Sequence, residues 1–255
     1  MFELASTPQD LGDIIIQGVR LGRLAYRRLF TLTSVLAFLG LVPTMVQVWG
    51  AHDEKSFDFQ SLDAWAHQLT PAYGSTGIVA LLVGLLLQAV LIRRIDAAAH
   101  GNVGPLPGEL RRAAQVWLWM LLALIVYAIA MTVGFILLVV PGVILCVSLI
   151  FNMFCVVLEG ERPIEALNHS HHLVWGQWWR TLGMLVLVYL PLLVLVSILA
   201  SLLGIGPSSL EAPLRGRDIF AEAVLEMVCL AIFTPFIYSI LYVYYRDLKL
   251  RKQGT

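Results

Sequence analysis

The sequence predicts an all-helical membrane protein with six transmembrane helices and two amphipathic helices at the cytoplasmic surface. Hydrophobic residues make up 59% of the 255 residues and charged residues only 13%, whereas soluble domains carry roughly 25% charged residues. Apolar segments long enough to cross a bilayer recur along the chain. Lysine and arginine are concentrated in alternate connections between these segments, which is the pattern of short cytoplasmic loops.

A bilayer core about 30 Å thick requires roughly 20 apolar residues in a helix. Residues 1–255 form a single membrane domain with six such segments. The apolar stretch 114–158 is too long for one helix, and we interpret Pro141 and Gly142 as a tight turn at the far membrane surface that divides it. The predicted spans are residues 29–48, 76–95, 115–137, 143–158, 181–203 and 223–245.

The basic residues predict the orientation of these spans. The chain has 17 lysines and arginines, and all lie on one side of the predicted membrane except Lys55, Arg215 and Arg217. Because short cytoplasmic loops accumulate basic residues, both termini are expected in the cytoplasm. The first residues lack a basic region and do not resemble a cleaved signal peptide. The formal net charge is zero, so the composition does not favour a nucleic-acid partner.

Residues 8–28 are predicted to form the first amphipathic helix. One face carries arginines that can contact anionic lipid headgroups. The opposite face carries small residues at a spacing that lets another helix approach closely. These residues are Arg20, Arg23 and Arg27, and Gly18, Gly22 and Ala25.

The second amphipathic helix is predicted over residues 164–180, around the segment HSHHLVWGQWWR. On a continuous helix, Trp175, Trp178 and Trp179 share the apolar face. Indole rings are suited to the depth of the lipid headgroups. We therefore expect this segment to lie in the plane of the membrane surface.

A metal site is the alternative interpretation of the same segment. Glu165, His169 and His172 lie on the polar face at positions i, i+4 and i+7, so their side chains could converge on one ion. The pattern offers no fourth ligand, and the primary expectation is that no cofactor binds. The three cysteines lie in apolar stretches, where we expect small buried side chains and no disulfide. They are Cys146, Cys155 and Cys229.

Four polar residues in or beside the predicted spans are candidates for function. Glu222 and Glu226 lie one helical turn apart near the outer end of the sixth span, and a charged group in hydrocarbon is energetically costly. The simpler interpretation places Glu222 among the headgroups and lets Glu226 bind a neighbouring helix. Gln88 and Asn152 are expected to form hydrogen bonds between helices.

The two halves of the chain also indicate a parallel repeat. A shift of 152 residues aligns Ile15 with Leu167 and Arg28 with Arg180. Each half ends in a charged signature, IRRID at 92–96 and YYRDL at 244–248. Such a repeat implies a pseudo-two-fold axis along the membrane normal, with the third and fourth spans as a hairpin between the halves.

Three motifs carry a resemblance to a known group: LLVVPGVIL, VVLEGERPIEALNHSHHLVWGQWWRTLG and TPFIYSILYVYYRDLKLR. They resemble the YciC-like bacterial inner-membrane proteins and the membrane domains attached to some glycerophosphodiester phosphodiesterases. The resemblance implies a six-helix protein of the bacterial inner membrane with a role in envelope or lipid biology. The chain has no room for the phosphodiesterase domain, so no hydrolase activity is implied.

Three functional hypotheses follow. The favoured one is a non-enzymatic protein that binds the phospholipid bilayer, with anionic lipids or a protein partner, including a second copy of the chain, as ligands. The second is a small-solute or proton-coupled transporter that uses Glu226 as its proton site. The third is an enzyme, which is disfavoured because the sequence has no HExxH, GxSxG or P-loop motif.

Overall fold

The computed structural model describes residues 7–50, 71–205 and 216–253, and these residues form helices without any strand. Lys55 and Arg215, which were predicted on the far side of the membrane, lie outside the described residues, and the side chain of Arg217 is not described. In chain order the helices are α1 (Leu11–Gly50), α2 (Pro71–Ala99), α3 (Leu106–Leu137), α4 (Val139–Ser148), α5 (Asn152–Phe154), a π-helix (Cys155–Glu159), α6 (Pro163–Val174), α7 (Trp178–Leu202) and α8 (Gly216–Gln253).

Six membrane-spanning segments were predicted, and the length and composition of the helices confirm that number for the described residues. Six helical segments of the described chain are long and apolar enough to cross a bilayer. The fourth joins α4, α5 and the π-helix. The segments are Leu11–Val46, Gly74–Ala99, Leu106–Leu137, Val139–Glu159, Trp178–Leu202 and Ile219–Gln253.

The first helix differs from the predicted division into a surface helix and a span. Residues 8–28 and 29–48 were expected as separate elements, but α1 runs without a break from Leu11 to Gly50. The junction, Arg27–Arg28–Leu29, consists of good helix formers and contains neither glycine nor proline. Nothing in the local sequence therefore ends the helix there.

The turn of the hairpin between α3 and α4 lies three residues earlier in the chain than predicted. The turn is made by Leu138, which has extended backbone angles, and not by Pro141 and Gly142. Pro141 instead lies in the first turn of α4, where a helix does not need its missing N–H group. Gly142 lets the ring of Phe135 pack closely, since a Cβ atom there would lie 2.5 Å from that ring.

The predicted helix over 164–180 is interrupted. α6 ends at Val174, α7 begins at Trp178, and Gly176 between them has a φ of 91°, a conformation that L side chains rarely adopt. Gly160, with a φ of 72°, ends the π-helix in the same way and reverses the chain before α6. Two glycines therefore set the limits of α6.

The chain forms two compact units. The first comprises residues up to 29, 85–188 and from 234 onward. Its core is built around Phe151, whose ring centroid lies 6.0 Å from that of Tyr244 and 5.8 Å from that of Tyr245. The second comprises residues 30–84 and 189–233. Within it the buried hydroxyl of Thr33 donates a hydrogen bond to the carbonyl of Ala231, joining α1 and α8.

Candidate functional site

An apolar groove lies in the first unit, between α4 and the segment that joins α6 to α7. It has a volume of about 790 Å³. We call it the tryptophan groove. It is lined by Val139, Val140, Val143, Ile144, Trp175, Gly176, Gln177, Trp178, Trp179 and Arg180.

The helix break at Gly176 creates this groove. Trp175 and Trp179 flank the break, and their exposed fractions are 57% and 79%. Trp178 turns toward α4, and its indole N–H donates to the carbonyl of Ile144 at 3.3 Å. The rings of Trp178 and Trp179 meet edge to face, with centroids 4.7 Å apart. The three tryptophans therefore surround a concave surface instead of sharing one helical face as predicted.

Arg180 forms the polar end of the groove. Its Nη2 atom donates to the carbonyl of Gln9 and lies 3.4 Å from a carboxylate oxygen of Asp247. Its guanidinium carbon lies 6.0 Å from the centroid of the Tyr244 ring. The Nε atom is buried and has no hydrogen-bond partner among the described residues. A strong donor without an acceptor is thus present beside the apolar lining.

Asp247 holds this end of the groove in place. It is buried, and Arg251 donates to it at 2.8 Å from one turn further along α8. The backbone N–H of Gln9 donates to the other carboxylate oxygen at 2.7 Å. A buried carboxylate with several donors is well compensated, so Arg180 is anchored by a rigid partner.

A second, polar pocket of about 290 Å³ lies where α2, the π-helix and α8 meet. Residues of both charged signatures of the predicted repeat, Asp96, Tyr245 and Arg246, line this pocket. Tyr242 donates to a carboxylate oxygen of Asp96 at 2.6 Å, and Arg246 lies 3.4 Å from a ring nitrogen of His100. The repeat itself stays a prediction.

The other wall of this pocket is an ion pair. Lys249 contacts Glu159 at 2.5 Å, and the hydroxyl of Tyr245 donates to the same carboxylate oxygen at 2.8 Å. The same hydroxyl lies 4.0 Å from the thiol sulfur of Cys155. The π-helix thus presents Glu159 to α8 on one side and Cys155 to the interior on the other.

The predicted metal-binding triad is not brought together by the described structure. Glu165 instead accepts a hydrogen bond from the backbone N–H of Arg162 at 3.2 Å, at the start of α6. His172 is exposed. His169 contacts Glu161 at 2.6 Å, and Cys155 completes that cluster.

The intramembrane polar candidates have different environments. Glu222 and Glu226 are both exposed on α8. Gln88 donates to the hydroxyl of Tyr238 at 2.9 Å, so it links α2 to α8 in the way expected of interhelical hydrogen bonds. Asn152 is buried at the first position of α5.

The arginines and the glycines of the N-terminal segment have different environments in α1. Its three arginines, Arg20, Arg23 and Arg27, are exposed. Its small residues face α8 at close range. A Cβ atom at Gly18 would lie 2.5 Å from the Cα atom of Ile240, and one at Gly22 would lie 2.8 Å from the ring of Phe236. The close helix approach predicted for these glycines is thus present.

The family comparison matches most of the chain. The family described as a domain of unknown function, DUF7847, covers residues 28–248. The chain belongs to the DUF7847 family. No curated protein and no solved structure matches the chain. The resemblance to YciC-like proteins therefore stays a prediction.

The DUF7847 segment contains two features that the sequence did not reveal. The cysteines were interpreted as buried apolar side chains, and Cys155 is buried, but it also lies beside Glu161 and His169. The groove was missed because a continuous helix over 164–180 places its tryptophans on one convex face. The dipeptide Trp175–Gly176 was the available signal, since glycine is common just beyond helix C-termini.

Proposed function

We propose that this DUF7847 protein is a non-enzymatic integral membrane protein that binds a phospholipid in the tryptophan groove. The observation that carries the proposal is the lining of the groove, in which valines and three indoles are followed by one arginine. Its volume of about 790 Å³ falls within the range of small-molecule sites, about 300–1,000 Å³.

The groove chemistry suggests how the lipid is oriented. An acyl chain lies along Val139, Val140 and Val143 of α4, because these side chains are apolar and largely exposed. The phosphate lies toward Arg180, whose unpaired Nε donor requires an acceptor. The indoles occupy the boundary between the two, where an apolar ring with one polar N–H is favoured.

We also propose that the exposed arginines of α1 contact anionic headgroups at the membrane surface. The side chains of these arginines, Arg20, Arg23 and Arg27, are exposed. Each basic residue near an anionic bilayer contributes about 1 kcal/mol of attraction. In this proposal both termini lie on the cytoplasmic side of a bacterial inner membrane. The proposal rests on the charge distribution of the sequence.

Lipid retention tests the groove. Full-length protein purified in mild detergent is analysed by native mass spectrometry with added phosphatidylglycerol or phosphatidylcholine. Trp179→Ala is expected to weaken retention of both lipids by about tenfold, equivalent to about 1.4 kcal/mol of lost contact. Arg180→Gln is expected to remove the preference for the anionic lipid. Trp119→Ala is the matched control, because Trp119 is an exposed tryptophan of α3 outside the groove lining.

Equal retention in the Trp179 and Trp119 variants would overturn the groove proposal. A concentration-dependent dimer that Trp179→Ala dissociates would also overturn it, because the groove would then be an interface between two copies of the chain. Size-exclusion elution and circular dichroism establish that each variant is folded before lipid is added.

The transporter alternative, with Glu226 as a proton site, stays a prediction. A proton carrier needs its carboxylate enclosed between helices, where protonation and solvent access can be controlled. The side chain of Glu226 is exposed on α8. This observation gives the transporter no specific support.

A further inference from the structure

The strongest unassigned cluster of chemically reactive groups joins the π-helix to α6. Cys155 lies in the π-helix, Glu161 follows the Gly160 turn, and His169 lies two turns into α6. The Sγ atom, a carboxylate oxygen and a ring nitrogen of these residues all lie within 4.8 Å of one another. The cluster is separate from the tryptophan groove.

The chain reversal at Gly160 assembles these residues. Gly160 turns the chain with a φ of 72°, so α6 packs back against the π-helix. Cys155 is fully buried, whereas the side chains of Glu161 and His169 are 25% and 30% exposed. The cluster therefore has a buried floor and a side that water and small ions can reach.

Glu161 has unused binding capacity. One carboxylate oxygen contacts Nδ1 of His169 at 2.6 Å. The second oxygen is buried and has no hydrogen-bond partner in the part of the chain that the structure describes. A buried carboxylate oxygen without a donor is energetically unfavourable, and a cation beside it would remove that cost.

We infer that Cys155, Glu161 and His169 bind one Zn²⁺ ion. Thiolate, imidazole and carboxylate together are a typical donor set for zinc, and three protein ligands leave the fourth tetrahedral position for water. Zinc bonds of about 2.0–2.3 Å place the ligand atoms roughly 3.3–3.8 Å apart. Side-chain movements of about 1 Å bring the three donors to this spacing.

The surrounding charges are compatible with the ion. A thiolate and a carboxylate together neutralise Zn²⁺, so the bound cluster carries no net charge. Lys249, a basic residue of α8, is already paired with Glu159 at 2.5 Å. The hydroxyl of Tyr245 donates to Glu159 and lies 4.0 Å from the sulfur of Cys155. These contacts hold the sulfur in position relative to the ion pair between Lys249 and Glu159.

Bound zinc would join the π-helix to α6 across the Gly160 turn. Both segments contact α3, so the ion also stabilises the unit that carries the tryptophan groove. The inference does not depend on lipid binding. A zinc site without lipid, and lipid binding without zinc, are both measurable outcomes.

Metal analysis of the full-length protein tests the inference. Purified protein is stripped with a chelator, incubated with one equivalent of ZnCl₂ or CoCl₂, and desalted. We expect one zinc per chain by mass spectrometry of the metal. We also expect a thiolate-to-cobalt charge-transfer band in the absorption spectrum. Cys155→Ser is expected to abolish the band. Glu161→Gln and His169→Gln are expected to lower affinity by more than the roughly 10–100-fold caused by outer-shell substitutions.

Three control variants distinguish this cluster from a metal site on the exposed face of α6. Cys146→Ser removes a free cysteine outside the cluster and is expected to leave the cobalt spectrum unchanged. Glu165→Gln and His172→Gln alter the other donors of the helical triad and are also expected to have no effect. If these two variants lose zinc while Cys155→Ser retains it, the inference is wrong and zinc binds on the exposed face of α6 instead.

Absence of zinc from the unmodified protein would overturn the inference, because a hydrogen bond between Glu161 and His169 alone accounts for the geometry without metal. If Cys155→Ser does not fold, Glu161→Gln provides the decisive measurement, since it preserves side-chain volume in a partly exposed position. In that variant, added zinc is expected to leave the thermal melting temperature unchanged, whereas it raises that of the unmodified protein.

Discussion

At the residue scale, Ser170 shows how a helix break is stabilised inside the first unit. Its buried hydroxyl donates to the carbonyl of Ser148 at 3.0 Å and accepts from the backbone N–H of Phe151 at 3.1 Å. These two backbone groups flank the break between α4 and α5, since Ser148 is the last residue of α4 and Phe151 directly precedes α5. One side chain of α6 therefore satisfies the polar groups exposed by the break.

Ser170→Ala is expected to lower the free energy of unfolding by about 2 kcal/mol, because two buried backbone groups lose their partner. Denaturation of the purified protein in mixed detergent micelles measures this change. Ser201→Ala is the control, since the Ser201 hydroxyl is exposed and bonds only within its own helix, to the carbonyl of Ser197. An equal effect of both substitutions would show that Ser170 has no special role.

At the element scale, the packing of α1 against α8 depends on two glycines. The Cα atom of Ile240 occupies the space that a side chain at Gly18 would need, and the ring of Phe236 occupies the space at Gly22. The contact at Gly18 is with backbone, which cannot rotate away as a side chain can. Small residues thus allow the two helices to approach closely.

Gly18→Ala is therefore expected to destabilise the protein by about 1–3 kcal/mol, the usual cost of overpacking. Gly40→Ala provides the comparison in the same helix, where a Cβ atom meets nothing within 4 Å. That substitution is expected to stabilise by about 0.5–1 kcal/mol through helix propensity. Thermal melting shows whether each substitution lowers or raises the melting temperature. The same sign for both would contradict the close packing of α1 on α8.

At the scale of the whole molecule, the distribution of charge predicts how the protein lies in the membrane. Six segments can cross the bilayer, and an even number of crossings leaves both termini on one side. Fourteen of the 17 basic residues belong to that side by their position in the sequence. The rule that cytoplasmic loops are basic therefore predicts that both termini lie in the cytoplasm.

Reporter fusions in a bacterial host test this orientation. A fluorescent protein fused after Thr255 is expected to be bright, and alkaline phosphatase at the same site is expected to be inactive. Fusions truncated within residues 51–70 are expected to give the opposite pair of results and serve as the internal control. An active phosphatase after Thr255 would mean that the predicted orientation is inverted.

Much of the secondary structure was predictable because each transmembrane segment is encoded by a local run of apolar residues. The glycine stripe of α1 was also predictable, since its spacing within one helix is enough to define a face. The end of α6 at Val174 was not predicted, because Gly176 was treated as part of one continuous helix over residues 164–180. The partner of His169 was also missed, since Glu161 precedes α6 and lies outside the regular helix that the periodicity described.

The sequence by itself determined that the chain is helical and apolar enough to cross a membrane six times, because length and hydrophobicity are properties of each segment alone. Only the tertiary structure decided which polar groups meet. The tryptophan groove and the Cys155–Glu161–His169 cluster both arise where a glycine reverses or breaks a helix and brings distant residues into contact. The physical reason is that a binding site depends on the relative positions of several segments, which the periodicity of a single segment does not specify.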